Sequence, residues 1–234
     1  MATSDLKLLG TWACPYVNRA ELALKVKSIE YEFIEDIPYQ KSELLLKYNP
    51  VHKKIPVLIH GDRPVCESLI IVQYIDDAWA TGPSILPSDP YDRALSRFWV
   101  AYIDDKWFPT MKQLETASGD EERATVVGKV LEGFALLEEA FVKCSKGKAF
   151  FGGDNVGYLD IALGCFLGWV KVAEIIGGGK LLDESKFPGL AGWAERFLSH
   201  DVAKDILPDA MKILEFFGKV QAARAAAAAT TAAE

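Results

Sequence analysis

The chain has 234 residues, half of them apolar, with a formal net charge of -7 and a pI near 5.1. That is enough for one large or two small domains with real cores, and the acidic balance argues against a polyanionic partner such as nucleic acid. Four cysteines and three histidines show neither metal-ligand spacing nor the density of a disulfide framework, so no metal site is expected.

Free thiols suit a reducing compartment, and a cytoplasmic location is the expectation. The polar start Met1–Asp5 is too short before the first strand to be a signal peptide, and no apolar run is long enough to span a bilayer, so no membrane partner is expected.

In chain order, Lys7–Gly10 reads as a short apolar strand running into Trp12-Ala13-Cys14-Pro15-Tyr16-Val17-Asn18-Arg19. An amphipathic helix with Leu22, Leu24 and Val26 runs out of it. Pro15 suits the first turn of that helix, which leaves Cys14 just before it, where unpaired N–H groups and the positive dipole end meet. A thiol placed there is expected to ionise, with a depressed pKa. The alternative is that Cys14 is a small buried hydrophobe. No cysteine stands at position 17, so a local two-thiol cycle is excluded.

Tyr31–Glu35 alternates as a half-buried strand, and strand–helix–strand implies a parallel pair with a crossover. A loop over Asp36–Gln40 leads to one or two helical turns at Lys41–Lys47, ended by Asn49-Pro50. In Lys53-Lys54-Ile55-Pro56-Val57-Leu58-Ile59 the proline opens an apolar strand, forces Ile55 to be extended and is a candidate for a cis bond. A turn at His60–Arg63 and a short strand at Val65-Cys66 follow, then a helix from Leu69 with Ser68 as its N-cap.

Thr81–Pro90 breaks every periodicity and is the linker. Beyond it only helices are expected: Arg93–Gln113, Glu121–Cys144, an almost wholly apolar Leu159–Ile176, one from Pro188 and one from Pro208. Ala222–Glu234 is alanine- and threonine-rich with nothing to pack, and is expected to fray or be disordered.

The run Lys41-Ser42-Glu43-Leu44-Leu45-Leu46-Lys47-Tyr48-Asn49-Pro50-Val51-His52-Lys53-Lys54-Ile55-Pro56-Val57-Leu58-Ile59-His60 resembles soluble glutathione transferases, most of all the plant tau class. Pro64–Ile71, Phe150–Asp154 and Asp160–Leu163 extend the resemblance, which covers Leu8 to about Lys219.

The resemblance implies an α/β thioredoxin-like domain at 1–79, a linker at 80–90 and an all-α domain at 91–221, followed by the tail at 222–234. It implies glutathione as co-substrate and hydrophobic electrophiles as acceptors, with detoxification by conjugation as the function and a homodimer as the assembly. Carried over by position, Lys41 and Lys54 would hold the glycyl carboxylate. Ile55 would pair its backbone with the cysteinyl part beside a cis Pro56. Glu67 would take the γ-glutamyl ammonium, and Ser68 that group's carboxylate. Tyr16, Trp107, Met111, Trp169 and Phe216 would line the electrophile pocket by analogy.

Two departures stand out. Cys14 occupies the position of the class's catalytic serine, in a Cys-Pro-Tyr run. A thiol donates weakly, but a thiolate can form a mixed disulfide with glutathione, which is similar to the omega, lambda and dehydroascorbate-reductase classes. Thioltransferase or dehydroascorbate reductase chemistry through Cys14 is therefore one alternative, and a ligandin-like carrier of apolar metabolites is another. Gly157 stands three residues before Asp160, where the family often has a hydroxyl cap, and Asp160 reads as structural.

Overall fold

The computed structural model describes residues 5–36 and 41–231, with the side chains of 224 and 226–231 left aside. Most of the expected loop after Asp36, the first residues and 232–234 lie outside the described residues. The chain divides into two compact units, one made of 1–79 with 206–234 and one of 80–205.

The first unit is built on a four-stranded sheet in the order β2-β1-β3-β4, from β1 (Leu6–Gly10), β2 (Glu32–Glu35), β3 (Val57–His60) and β4 (Arg63–Cys66). β1 pairs parallel with β2 and antiparallel with β3, and β3 turns into β4 as a hairpin through Gly61 at φ +62°. The parallel step is bridged by helix α1 (Pro15–Val26), as a crossover requires. α1 packs with α3 (Ser68–Ala78), and a buried ion pair, Lys27 to Asp76 at 2.7 Å, ties the end of α1 to α3.

Short α2 (Glu43–Tyr48) starts on the Ser42 hydroxyl, which accepts from the Leu45 N–H at 3.0 Å. Its Leu45 joins Leu9, Val57 and Ile59 in one apolar cluster, with Ile55 and Cys66 packed against it. Gly10 is a close-approach glycine: a Cβ there would stand 2.6 Å from Val17 Cγ1. It lets the end of β1 lie against the start of α1, where Cys14 is presented.

The last helix, α10 (Ala210–Thr231), belongs to this first unit and not to the helical one. Its Phe216 meets Trp12 edge-on at 5.2 Å. Helix also continues into the alanine-rich stretch where fraying was expected, consistent with alanine's high propensity.

The second unit is all helical: α4 (Pro90–Tyr102), α5 (Phe108–Lys112), α6 (Asp120–Ser145), α7 (Tyr158–Gly164), α8 (Leu167–Gly177) and α9 (Pro188–Ser199). Two expected helices are interrupted. Arg93–Gln113 contains a wide turn at Ile103–Trp107 with five-residue spacing, a rare insertion in α-helices. Leu159–Ile176 breaks at Cys165–Phe166, where the Phe166 N–H tightens onto the Leu163 carbonyl and the ring stacks on Phe108 at 3.8 Å. Every residue of α7 is buried, Asp160 included.

Candidate functional site

Cys14 is the residue before α1, extended at φ -84° and ψ 117°, with Pro15 as the first helical residue. Its carbonyl accepts from the Val17 and Asn18 N–H groups at 3.0 Å, while its side chain makes no capping bond. The thiol is half-buried. Burial pushes it above its ordinary pKa, against the Val17 and Tyr16 N–H groups and the Arg19 guanidinium, which favour the thiolate; Glu21 works with burial. The expected depression is thus reversed. The helix start acts in the direction the sequence implied, and the protein atoms around the sulfur outweigh it.

The second corner is Glu67-Ser68. Glu67, rather than Ser68, takes the capping position, at φ +70° and ψ 118°. That backbone is strained by about 1–3 kcal/mol for a residue with a side chain, a feature that clusters at ligand sites. Ser68 is then the first residue of α3, 7% exposed, and its hydroxyl accepts a long contact from Arg19 Nη1 at 3.4 Å. The Glu67 carboxylate is about half exposed, with His52 Nε2 3.9 Å away.

The Ile55–Pro56 bond is cis. Ile55 is half-buried, and the Lys54 carbonyl is held by Asn49 Nδ2 at 2.8 Å, which fixes the strand start. Lys41 and Lys54 are exposed, as cations for a carboxylate at a surface must be. The first unit therefore carries exposed cations at Lys41 and Lys54, a cis proline step, a half-exposed carboxylate at Glu67 and the N-terminus of the eleven-residue α3.

Of the expected pocket residues, Tyr16 and Phe216 are half-buried in this same unit, and the Arg19 guanidinium lies 5.2 Å over the Tyr16 ring. Trp107 is a correction. It is 2% exposed inside the helical unit, edge-on to Phe134 at 5.1 Å and to Phe166 at 6.2 Å, and a Cβ on Gly133 would strike its ring. It is core. Met111 is 5% exposed and Trp169 half-buried in that unit.

Asp160 is fully buried and accepts at 2.8 Å from the N–H groups of Phe151, Gly152 and Gly157 and from Trp193 Nε1. Burial raises its carboxyl to about 6 against those four donors. It is a structural brace, as expected. Arg19, fully buried on α1, escaped notice; its signal is a cation three and four residues from Leu22 and Ala23 on the buried stripe. Among the described residues no group of metal-ligating side chains comes together, and no helix is long and apolar enough to cross a membrane.

Residues 4–77 match the family model described as the glutathione S-transferase N-terminal domain, and 120–196 the C-terminal domain. Over 94% of this chain and 97% of the relative, it is 57% identical to glutathione S-transferase U17 of Arabidopsis thaliana. The structure of a tau-class glutathione S-transferase from mango, Mangifera indica, superposes with a TM-score of 0.91 at 57% identity, covering 94% of this chain and 100% of that one. The chain belongs to the plant tau class of glutathione S-transferases. The transferase is thus an enzyme of glutathione transfer on a thioredoxin-like plus helical fold. A rice glutathione S-transferase solved in complex with glutathione is 36% identical, with a TM-score of 0.84 over 94% of this chain and 97% of that one, in line with glutathione as co-substrate. An omega transferase from Trametes versicolor is 26% identical with a TM-score of 0.79, covering 96% and 93%.

Proposed function

We propose that this transferase joins the glutathione sulfur to hydrophobic electrophiles, with Cys14 beside the reacting sulfur. The observation that carries the reading is the strained Glu67-Ser68 corner at the start of α3, in the same unit as the Cys14 turn. In this reading Lys41 and Lys54 hold the glycyl carboxylate. Ile55, next to cis Pro56, pairs with the cysteinyl backbone. Glu67 takes the ammonium, and Ser68 with the α3 N-terminus takes the γ-glutamyl carboxylate. Tyr16 and Phe216 face the electrophile, with Met111 and Trp169 as the further pocket residues that the resemblance implies.

The raised pKa of Cys14 fits conjugation. A thiol that keeps its proton donates a hydrogen bond to the glutathione thiolate and does not repel it. The thiolate forms the new carbon–sulfur bond, the leaving group departs with its electron pair, and Cys14 is unchanged.

One observation favours a second activity. The N–H groups of Tyr16 and Val17 and the Arg19 charge would all stabilise a Cys14 thiolate once formed. That thiolate would attack the glutathione sulfur of a mixed disulfide and expel the other thiol. A second glutathione thiolate would then resolve the Cys14 adduct and leave as oxidised glutathione.

Parallel assays with an aryl halide and with a small mixed disulfide test both. Cys14→Ser is expected to raise conjugation and abolish exchange; loss of conjugation, or full exchange, would overturn the role of Cys14. Exposed Val51 and Ile70 in the first unit and Tyr91 and Phe98 in the second support a homodimer as the working form. A cytoplasmic location agrees with four cysteines that form no disulfide among the described residues.

A further inference from the structure

Cys14 ends a tight turn closed by its own N–H onto the Thr11 carbonyl at 3.0 Å. Two side chains pin that turn. The Thr11 hydroxyl donates to Glu35 Oε1 at 2.6 Å. Asn18 Nδ2 donates to the Trp12 carbonyl at 3.0 Å and to Glu21 Oε2 at 3.1 Å. Glu21 is held in turn by the Tyr31 hydroxyl, which donates to Oε1 at 3.2 Å. A continuous chain of contacts therefore runs from Tyr31 through Glu21 and Asn18 to the backbone that presents Cys14.

Both middle members are kept at a cost. Asn18 is 1% exposed, and its Oδ1 has no hydrogen-bond partner among the described residues. Turning the amide over would set that oxygen against the Trp12 carbonyl and the Glu21 carboxylate, both acceptors, so its orientation is fixed by what its N–H groups reach. Burial pushes the Glu21 carboxyl above its ordinary pKa, and the Glu35 charge adds to it, against the Asn18 and Tyr31 bonds. A carboxylate held there against burial and a like charge acts through the groups it binds. Its bond to Asn18 is the one that leads to the reacting turn.

We propose that Asn18, oriented by Glu21, is a positioning residue for the Cys14 thiol: it fixes the Trp12 carbonyl and with it the turn from which Cys14 meets the glutathione sulfur. The proposal rests on the reading of Cys14 given above. It predicts a defect in the chemical step with binding spared, because the proposed glutathione contacts at Glu67 and Ser68 do not pass through this turn.

The test is steady-state conjugation by the full chain with glutathione and an aryl halide, for Asn18→Ala, Glu21→Ala, Glu21→Gln and Cys14→Ala. Asn18→Ala and Glu21→Ala are expected to lower kcat about tenfold or more, the scale of a small misplacement at a reacting centre, with KM for glutathione within about twofold. Glu21→Gln still offers an oxygen to Asn18 and is expected to stay within about threefold of the parent. Parental kcat in Asn18→Ala would overturn the proposal, as would a joint loss of kcat and glutathione binding that Glu21→Gln shares. Should Asn18→Ala fail to fold, equal kcat in Glu21→Ala and Glu21→Gln would overturn it. Parental conjugation by Cys14→Ala would remove the reading of Cys14 and the proposal with it, a result distinct from the others because only there is Cys14→Ala active.

Discussion

Replacing Asp160 with alanine should be among the most costly single changes in the helical unit. Its carboxylate is the acceptor for three backbone N–H groups and the Trp193 indole N–H, each at 2.8 Å. A buried donor left without a partner costs about 1–3 kcal/mol, so four lose about 8 kcal/mol at the middle of the range. Removing a buried charge works the other way. The carboxyl is raised to about 6 from an ordinary 3.8, worth about 3 kcal/mol at pH 8. The net expectation is a loss of about 5 kcal/mol at pH 8, a large share of a typical domain's stability. Urea unfolding followed by far-ultraviolet circular dichroism measures it. The pH dependence is a second readout. The folded pKa lies above the unfolded one, so the folded state holds a proton that the unfolded state releases between about 4 and 6. Stability from this group is full below about 4 and is lost as pH rises through about 6. The alanine variant lacks that decline, so the gap from the parent should be wider in acid. A loss under about 1 kcal/mol at pH 8 would refute the reasoning, since even one orphaned donor costs that much.

Two further outcomes follow from the first unit. Because burial lifts the Cys14 thiol above its ordinary value of 9.0, its alkylation by iodoacetamide in the free protein should be slow at neutral pH and climb through pH 9 and beyond; a half-maximal rate below pH 8, read by peptide mapping, would contradict this. Glu67→Ala and Ser68→Ala should each weaken glutathione binding by about 1.5–3 kcal/mol, the range for hydrogen bonds to charged groups; unchanged calorimetric affinity in both would dispose of the proposed corner.

Local chemistry made much of the site legible. Pro15 marks the start of α1 and so the place of Cys14, and Pro56 marks the cis step before β3. Both follow from a ring that fixes its own backbone. Quantities that depend on packing were not legible. The sign of the helix-start effect on Cys14 could be read, but not the desolvation that exceeds it. Trp107 lies on a helix with aromatic spacing, and nothing local distinguishes a pocket wall from a core that closes around Gly133. At the break at Cys165–Phe166 the Phe166 ring stacks on Phe108, more than fifty residues away, while both residues at the break suit an apolar helix. That Glu67 and not Ser68 takes the cap was not legible, since a positive φ in a non-glycine residue leaves no sequence signature.

The division of the chain bears on how the protein is made. The unit that holds the proposed glutathione site draws on residues from both sides of 80–205. On a ribosome the four strands, α1 and α3 emerge early, yet Phe216 reaches Trp12 only after the helical unit's residues have all been synthesised. The Trp12 side of the Cys14 turn thus waits for the last helix. A nascent chain stalled before Ala210 would carry strands, thiol and strained corner but would lack the aromatic contact that covers Trp12. The first unit is thus begun before the helical one and gains its Trp12–Phe216 contact after it.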